Sequence, residues 1–264
     1  MLIFGIVYTF ILGAIVGSFL NVVSLRYNTG RHLKGRSGCP SCKHPLAWFE
    51  LIPILSFIFL KGHCTSCRSK ISFQYPLIET LTGVLFAGIF IKINALLYFA
   101  PQIFVLTFLY YAVCFSLLVV ILIYDWKHKI IPDGFVYAFG LIAAVHALFF
   151  FGSGWDLIAG PLVFLPFYFL WLVSAGKWIG FGDGKLALGI GWFLGIIDGI
   201  SAIVLAFWIG AVVSLIAIAT RKHISMKSEI PFAPFLILGF WLVFYFGWDV
   251  VGLHAIMSLT SFAQ

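Results

Sequence analysis

The feature that most constrains this fold is a series of apolar runs about as long as a membrane is thick. Of the 264 residues, 62% are hydrophobic and only 9% are charged, whereas an average soluble domain has about 25% charged residues. An α-helix needs about 20 apolar residues to cross the hydrocarbon core, and the alternating strands of a membrane barrel would not give continuous apolar runs. The sequence therefore predicts an all-α polytopic membrane protein and excludes a soluble enzyme, a disordered chain and a nucleic-acid-binding module.

About eight transmembrane helices are predicted. The sixth run is short, and its glycines at positions 189, 191 and 195 are typical of a closely packed interior helix. In chain order the runs are Leu2–Val23, Pro76–Ile91, Tyr98–Ile123, Phe135–Phe151, Leu157–Val173, Leu186–Ile197, Ile200–Thr220 and Phe232–Trp248.

The basic residues predict which side of the membrane each loop faces. Fifteen of the sixteen Lys and Arg residues lie in segments 24–75, 124–134, 174–185 and 221–231. Because cytoplasmic loops are enriched in Lys and Arg, these segments are expected inside and the N-terminus outside. The first run lacks preceding basic residues, which predicts a retained helix rather than a signal peptide. The net charge of +7 then faces anionic lipid headgroups and requires no nucleic acid.

Segment 25–75 is predicted to form a small cytoplasmic subdomain between the first and second membrane helices. A segment of this size buries too little apolar surface to fold without a staple, although its apolar run Leu51–Leu60 is expected to dock on the membrane surface. Two Cys-x-x-Cys pairs supply the staple, and they consist of Cys39, Cys42, Cys64 and Cys67. Four thiolates in two tight turns are typical of a structural, tetrahedral zinc site, whose metal supplies folding energy.

Two disulfides or a redox pair are the alternative uses of these four cysteines. A cytoplasmic location is reducing and disfavours disulfides. Four thiolates also leave no open coordination position, which indicates a structural rather than a catalytic metal. The fifth cysteine, Cys114, lies in the middle of the third run and is expected in the apolar core.

The chain contains only nine carboxylates, so each position is informative. Asp156, Asp198 and Asp249 lie in outward turns or at the ends of runs, where solvated helix caps account for them. Glu50 lies in the cytoplasmic loop and is given no special role. Burying a charge at the membrane boundary costs roughly 2.5–3.5 kcal/mol, so a function is expected for the five acids at the inward boundary, Glu79, Asp125, Asp133, Asp183 and Glu229.

Two of these acids are predicted to form a catalytic pair. Asp125 follows the third run, and Asp183 lies in Gly180-Phe181-Gly182-Asp183-Gly184-Lys185, where glycines permit close backbone approach. One carboxyl group can accept a proton from water while the other donates a proton to a carbonyl oxygen. Such a pair titrates as a unit, so the two roles are not assigned separately. The alternative is structural, with Asp183 as a helix cap and Asp125 paired with Lys127 or Lys129.

Taken together, these residues resemble the type IV prepilin peptidases, a family of membrane aspartic peptidases with a Gly-x-Gly-Asp motif. The resemblance runs nearly end to end, with Ala233 at a position where the family commonly has Gly. The matching stretches are Gly17–Val23 with Arg26, Cys39–Cys42, Glu50–Pro53, Cys64 with Cys67, Ile71–Ser72, Tyr75–Pro76 with Glu79, Asp125 with Ile131–Asp133, Gly180–Lys185 and Ile230–Phe235.

The resemblance implies two reactions at the cytoplasmic face of the inner membrane. The leader peptide of a prepilin or a type II secretion pseudopilin is cleaved after Gly, and the new N-terminal residue is then N-methylated from S-adenosylmethionine. The cysteine-bearing loop accompanies the members that perform both reactions. The resemblance assigns catalysis to Asp125 and Asp183 and metal binding to the four loop cysteines.

Other residues are given supporting or candidate roles. Gly180 and Gly182 support the Asp183 motif, and Lys185 is expected to contact a headgroup or a substrate acid. Candidates for substrate or methyl-donor contact are Asn21, Glu79 and Glu229, with buried polar residues that satisfy helix contacts as the alternative. No Gly-x-Gly-x-x-Gly motif marks a methyl-donor site.

The predicted organisation is a first membrane helix at 1–24, a zinc-binding loop at 25–75 and a peptidase core at 76–264. Two functions from other classes compete with the peptidase. A proton-coupled transporter would use the same acids as a proton relay, and a zinc-stapled scaffold would use none of them catalytically. The sequence leaves the oligomeric state and the particular pilin open.

Overall fold

The computed structural model describes residues 2–29, 35, 37–150, 154–220, 230–250 and 252, without the side chains of residues 150 and 154–156. Within these residues the regular elements are helices, which confirms the all-α prediction. They are α1 (Leu2–Arg26), a 3-10 helix (Trp48–Leu51), α2 (Leu55–Phe59), α3 (Gln74–Phe99), α4 (Pro101–His128), α5 (Asp133–Phe150), α6 (Gly154–Ser174), α7 (Phe181–Leu194), α8 (Ile196–Thr220) and α9 (Ala233–Phe246).

Five of the described helices, α1, α3, α4, α6 and α8, are long and apolar enough to cross a membrane. α5 and α9 are apolar but shorter, and α7 has 14 residues. A polytopic membrane protein is therefore confirmed, while the number of eight crossings stays a prediction.

The helix predicted at Leu186–Ile197 has different bounds in the structure. α7 begins five residues earlier, at Phe181, so Asp183 lies in its first turn rather than in a preceding loop. α7 ends at Leu194 because Gly195 adopts a φ of 84°, a left-handed conformation that favours glycine. α8 begins directly after this glycine.

The chain forms two compact units, Met1–Ile123 and Tyr124–Gln264. In the first unit, α1 packs along α3 through glycines on both helices. A Cβ added at Gly13 would lie 2.6 Å from the carbonyl oxygen of Thr82, and one at Gly83 would lie 2.8 Å from the Phe10 ring. Small residues let two membrane helices approach closely, so these glycines set the distance between α1 and α3.

In the second unit, α7 contacts α5, α6, α8 and α9. Eight of its residues are buried, and its glycines admit the neighbouring helices. A Cβ added at Gly189 would lie 2.7 Å from the Phe139 ring of α5, and one at Gly191 would lie 2.7 Å from the carbonyl oxygen of Ala159 in α6. The prediction of a closely packed interior helix is thus confirmed, and this packing holds the Asp183 turn in place.

Replacing Gly191 by Ala is expected to lower the melting temperature of the detergent-solubilised protein. The added methyl group would meet backbone atoms that cannot rotate away, and overpacking of this kind costs about 1–3 kcal/mol. Gly140→Ala is the matched control, because it is also buried in a helix but its nearest new neighbour would be 3.8 Å away. Equal melting temperatures for the two variants would contradict this view of α7.

Candidate active site and metal centre

Asp125 lies near the inward end predicted for α4, with only 4% of its surface exposed. Its carboxylate accepts a hydrogen bond from the backbone N–H of Ala233, the first residue of α9. The first N–H groups of a helix have no partner within the helix and carry partial positive charge. The start of α9 therefore stabilises a negative charge on Asp125, which gives the 230–235 motif a physical role that the sequence did not suggest.

Asp183 is 8% exposed and lies in the first turn of α7. Its carboxylate accepts a hydrogen bond from the backbone N–H of Gly180, the N-cap residue. A Cβ added at Gly180 would lie 3.1 Å from the Asp183 carboxylate, so glycine leaves room for this arrangement. Gly182 is packed equally tightly, because its added Cβ would lie 3.0 Å from the Ile131 side chain.

The structure brings Asp125 and Asp183 together, since their carboxyl groups lie close enough to interact electrostatically. The N-cap residue of α7 is Gly180 rather than Asp183, and the hydrogen bond from Gly180 to Asp183 coexists with this pairing. Lys127 and Lys129, both among the described residues, form no ion pair with Asp125. One oxygen of Asp125, Oδ2, is buried without any hydrogen-bond partner. Buried polar atoms are nearly always paired, so this oxygen is available to a water molecule or a substrate group.

Lys185 lies two residues after Asp183, and its ammonium group contacts three other side chains. Its Nζ lies 2.7 Å from Oδ1 of Asp133, at the start of α5. The ammonium also lies 4.9 Å from the centre of the Tyr137 ring and 5.3 Å from that of Phe181, within the range of cation–π attraction. Lys185 thus connects the first turns of α5 and α7.

The two Cys-x-x-Cys pairs fold into two turns with the same hydrogen-bond pattern. In the first, the N–H of Cys39 donates to His44 O and the N–H of Lys43 donates to Cys39 O. In the second, the N–H of Cys64 donates to Ser69 O and the N–H of Arg68 donates to Cys64 O.

Lys43 and Arg68 occupy equivalent positions of the two turns, and both have a left-handed φ, of 58° and 55° respectively. The two turns therefore share one backbone conformation.

The four sulfur atoms, which belong to Cys39, Cys42, Cys64 and Cys67, lie within 4.8 Å of one another. Cys39 Sγ and Cys67 Sγ are 3.8 Å apart, far beyond the roughly 2.05 Å of a disulfide bond. Sulfurs at about 2.3 Å from a tetrahedral zinc ion would be about 3.8 Å apart. The four cysteines are thus free thiols arranged as a metal centre requires.

The hydroxyl group of Ser69 contacts two of these thiols, Cys39 Sγ at 3.5 Å and Cys67 Sγ at 3.1 Å. The hydrogen bond between Ser69 and Cys39, together with backbone hydrogen bonds at Cys42 and Ser41, lowers the pKa of the Cys39 thiol to about 6. The contact with Ser69 also lowers the pKa of Cys67. Both thiols are thereby shifted toward the thiolate form that binds metals.

Glu50, for which no special role is predicted from the sequence, connects the two halves of the cysteine loop. It is 8% exposed, and its Oε2 accepts a hydrogen bond of 2.7 Å from the N–H of Ala47. Its Oε1 accepts one of 2.6 Å from the hydroxyl group of Thr65, inside the second cysteine turn. Hydrogen bonds from Thr65 and Ala47 lower the pKa of Glu50, so the buried group is held as a carboxylate.

The polar groups of Asn21 and Glu79 are engaged with neighbouring protein groups. Asn21 is fully buried, and its amide contacts the carbonyl oxygens of Gly17 and Tyr75 and the side chain of Gln74. Glu79 accepts hydrogen bonds from the backbone N–H of Ile54, at 2.7 Å, and from Ser18. These contacts match the alternative role of satisfying helix contacts. The third candidate, Glu229, lies outside the described residues.

Replacing Glu50 by Gln is expected to speed the release of zinc loaded onto the purified protein to a chromophoric chelator. An amide presents one acceptor oxygen to two donors, so the second cysteine turn loses its anchor, and outer contacts of this kind change metal affinity roughly 10–100-fold. Thr65→Ala is expected to have a comparable effect, and the double variant little more than either change alone. Unchanged release from Glu50→Gln would show that the anchor does not support the metal centre.

Comparison with known proteins matches both parts of the chain. A family described as the bacterial peptidase A24 N-terminal domain matches residues 11–93, and the type IV leader peptidase family matches residues 112–215. No solved structure matches.

Several relatives carry the name prepilin leader peptidase/N-methyltransferase. One, from Bacillus subtilis strain 168, is 32% identical over 255 residues, which cover 95% of this chain and 98% of that protein. Another, from Burkholderia pseudomallei strain 1026b, is 31% identical and covers 91% of this chain and 85% of the relative. A third, from Stutzerimonas stutzeri, is 28% identical and covers 90% and 89%. With both parts of the chain matched by family models and the relative from Bacillus subtilis covered to 98% of its length, this chain belongs to the type IV leader peptidase family.

Proposed function

We propose that this protein cleaves the leader peptide of type IV prepilins and type II secretion pseudopilins after Gly, and then N-methylates the new N-terminal residue. The names of its relatives support both reactions. The observation that carries the cleavage is the pair of buried carboxyl groups, Asp125 and Asp183, which lie close enough for their charges to interact. Family membership favours this enzyme over a proton-coupled transporter or a non-enzymatic scaffold.

The mechanism follows from the presence of two carboxyl groups, those of Asp125 and Asp183, in one apolar site. Because both groups cannot readily ionise together there, one proton is shared between them. The carboxylate accepts a proton from a water molecule, whose oxygen attacks the scissile carbonyl carbon, while the protonated partner donates its proton to the carbonyl oxygen. The tetrahedral intermediate then collapses and the C–N bond breaks. The proton taken from water passes to the leaving amine, and a hydroxyl proton of the intermediate returns to the carboxylate that had donated its proton.

The neighbouring residues act by positioning. Gly180 leaves room for the Asp183 carboxylate, Gly182 lets the first turn of α7 approach Ile131, and the Lys185–Asp133 ion pair holds that turn against α5. The N–H groups of Ala233 and Gly180 orient one oxygen of each aspartate. Catalytic groups held in this way lose little freedom when the substrate binds.

Replacing either aspartate by Asn is expected to lower the cleavage rate of a co-reconstituted prepilin by roughly 10²–10⁴-fold, because an amide cannot exchange the shared proton. Asp198→Asn is the matched control: it makes the same change in the first turn of α8 and should cleave normally. Cleavage is followed by the size of the substrate on a gel. Normal cleavage by both Asp125→Asn and Asp183→Asn would refute the assignment.

We further propose that the metal at the cysteine cluster is zinc and that its role is structural. Support comes from four thiol ligands and a sulfur separation that suits zinc. When bound, zinc would supply folding energy to the loop. The catalytic steps above do not involve it.

Metal analysis of the purified protein is expected to find one zinc ion per chain. Cys39→Ser and Cys64→Ser should each remove most of it, because three thiolates bind far less tightly than four. Cys114→Ser is the control, since Cys114 is a buried thiol within α4 and should leave the zinc content unchanged. A different metal, or zinc retained in both loop variants, would contradict the proposal.

The methyl donor proposed for the second reaction is S-adenosylmethionine, which would supply the methyl group. Mass spectrometry of the mature substrate should show one methyl group on its new N-terminus only when this donor is added. Substitution of Glu79 by Gln tests whether Glu79 contacts the substrate or the methyl donor. Glu50→Gln is the control, because it loosens the cysteine loop without changing Glu79. An unmethylated N-terminus in the presence of the donor would count against the second reaction.

The chain is a multi-pass membrane protein, and we propose the inner membrane as its location, with the N-terminus outside and Asp125, Asp183 and the cysteine loop at the cytoplasmic face. The distribution of Lys and Arg supports this orientation.

A further inference from the structure

The cysteine loop carries an exposed apolar surface, which we call the apolar patch and which consists of Trp48, Phe49, Leu51, Leu55, Ile58 and Phe59. Trp48 is 78% exposed, Phe59 77% and Ile58 60%. The patch is formed by the 3-10 helix and α2, outside the five helices able to cross a membrane. Contiguous exposed apolar surfaces of this kind mark interaction sites rather than ordinary solvated surface.

The loop fastens the apolar patch beside the beginning of a membrane helix. Ile54, at the N-cap of α2, donates its backbone N–H to Oε2 of Glu79 in α3. The ring of Phe57 lies 6.1 Å from that of Phe73, the residue that directly precedes α3. Since α3 is long and apolar enough to cross the membrane, the patch is held at the level where that helix enters the membrane.

Basic groups follow the patch in the chain. Lys61, Arg68 and Lys70 are exposed, and Lys61 and Arg68 line a cavity of about 530 Å³ together with His63. Glu50 is the single acid between residues 37 and 73, and both its oxygens are engaged within the loop. The surface that this loop presents is therefore apolar and cationic, without a competing exposed carboxylate.

We propose that the 3-10 helix and α2 insert into the membrane interface, with the apolar patch among the acyl chains near the headgroups and Lys61 and Arg68 on the phosphates of anionic lipids. Aromatic and aliphatic side chains beside basic residues are typical of segments that lie in the interface, and each Lys or Arg near an anionic surface strengthens such binding. A lipid surface is favoured over a protein partner because Glu79 and Phe73 tie the patch to the entry of α3. The insertion holds the cysteine subdomain on the membrane.

The test places a fluorescent amino acid at Phe59 of the full-length protein in nanodiscs whose lipids carry bromine on their acyl chains. Emission from position 59 should be quenched about as strongly as emission from position 15, where Ile15 is 53% exposed on α1. The same fluorophore at Lys43, an exposed residue of the first cysteine turn, should be quenched much less. Zinc content is measured in every labelled protein to confirm that the loop is intact.

The contribution of charge is tested with a second variant, Lys61→Gln with Arg68→Gln. Quenching at position 59 should be stronger in discs that contain phosphatidylglycerol than in purely zwitterionic discs. The two substitutions should remove that difference, since each charge changes the docking equilibrium on the order of fivefold. Quenching that is unaffected by these substitutions would overturn the role of the basic pair.

Quenching at position 59 no stronger than at position 43 would overturn the insertion. The insertion would also be overturned if the brominated lipids did not quench the emission but adding a prepilin shifted it, because the patch would then bind protein. Neither measurement requires cleavage or methylation, so the result is independent of the proposed function.

Discussion

This structure depends on hydrogen bonds that backbone N–H groups donate to buried carboxyl groups. Each of the four acids that are buried among the described residues accepts a backbone N–H. Glu50 accepts from Ala47, Glu79 from Ile54, Asp125 from Ala233 and Asp183 from Gly180. A buried charge without such a partner would cost several kcal/mol. The local backbone at these four donors therefore has to form correctly before either unit can be stable.

The hydrogen bond from a backbone N–H to a buried carboxyl group serves either anchoring or chemistry. The second oxygen of the carboxyl group distinguishes the two cases. Both oxygens of Glu50 are engaged, one by the backbone and one by the hydroxyl group of Thr65, so this acid is purely an anchor. Asp125 has a buried Oδ2 with no partner and a second carboxyl group, that of Asp183, beside it. A buried polar atom without a hydrogen-bond partner lowers the stability of the fold. The same atom is useful for chemistry, because a water molecule or a substrate group can bind to it.

Glycines make these contacts possible in an apolar chain. In the second unit, Gly180 leaves room for the Asp183 carboxylate, and Gly182 and Gly184 let the first turn of α7 approach neighbouring side chains. Gly189 and Gly191 let the rest of the helix pack as closely. Helices in a membrane gain little from hydrophobic exclusion, so close packing carries more of their association. The glycines of α7 therefore determine where Asp183, the proposed catalytic residue, is held.

Much of this protein follows from its sequence, because long apolar runs must become helices and rare acids in such runs must have a reason to be there. The all-α class, the five long helices and the cysteine cluster are of this kind. Asp125 and Asp183, predicted as a pair, lie close enough for their charges to interact, and their catalytic role stays a prediction. Tertiary structure alone decided which partners the polar groups take. The N–H of Ala233 reaches Asp125 across more than a hundred residues, Glu50 reaches Thr65, and Lys185 pairs with Asp133. Composition and periodicity describe one helix at a time, whereas these contacts depend on how close two helices or turns approach, and that distance is set by packing.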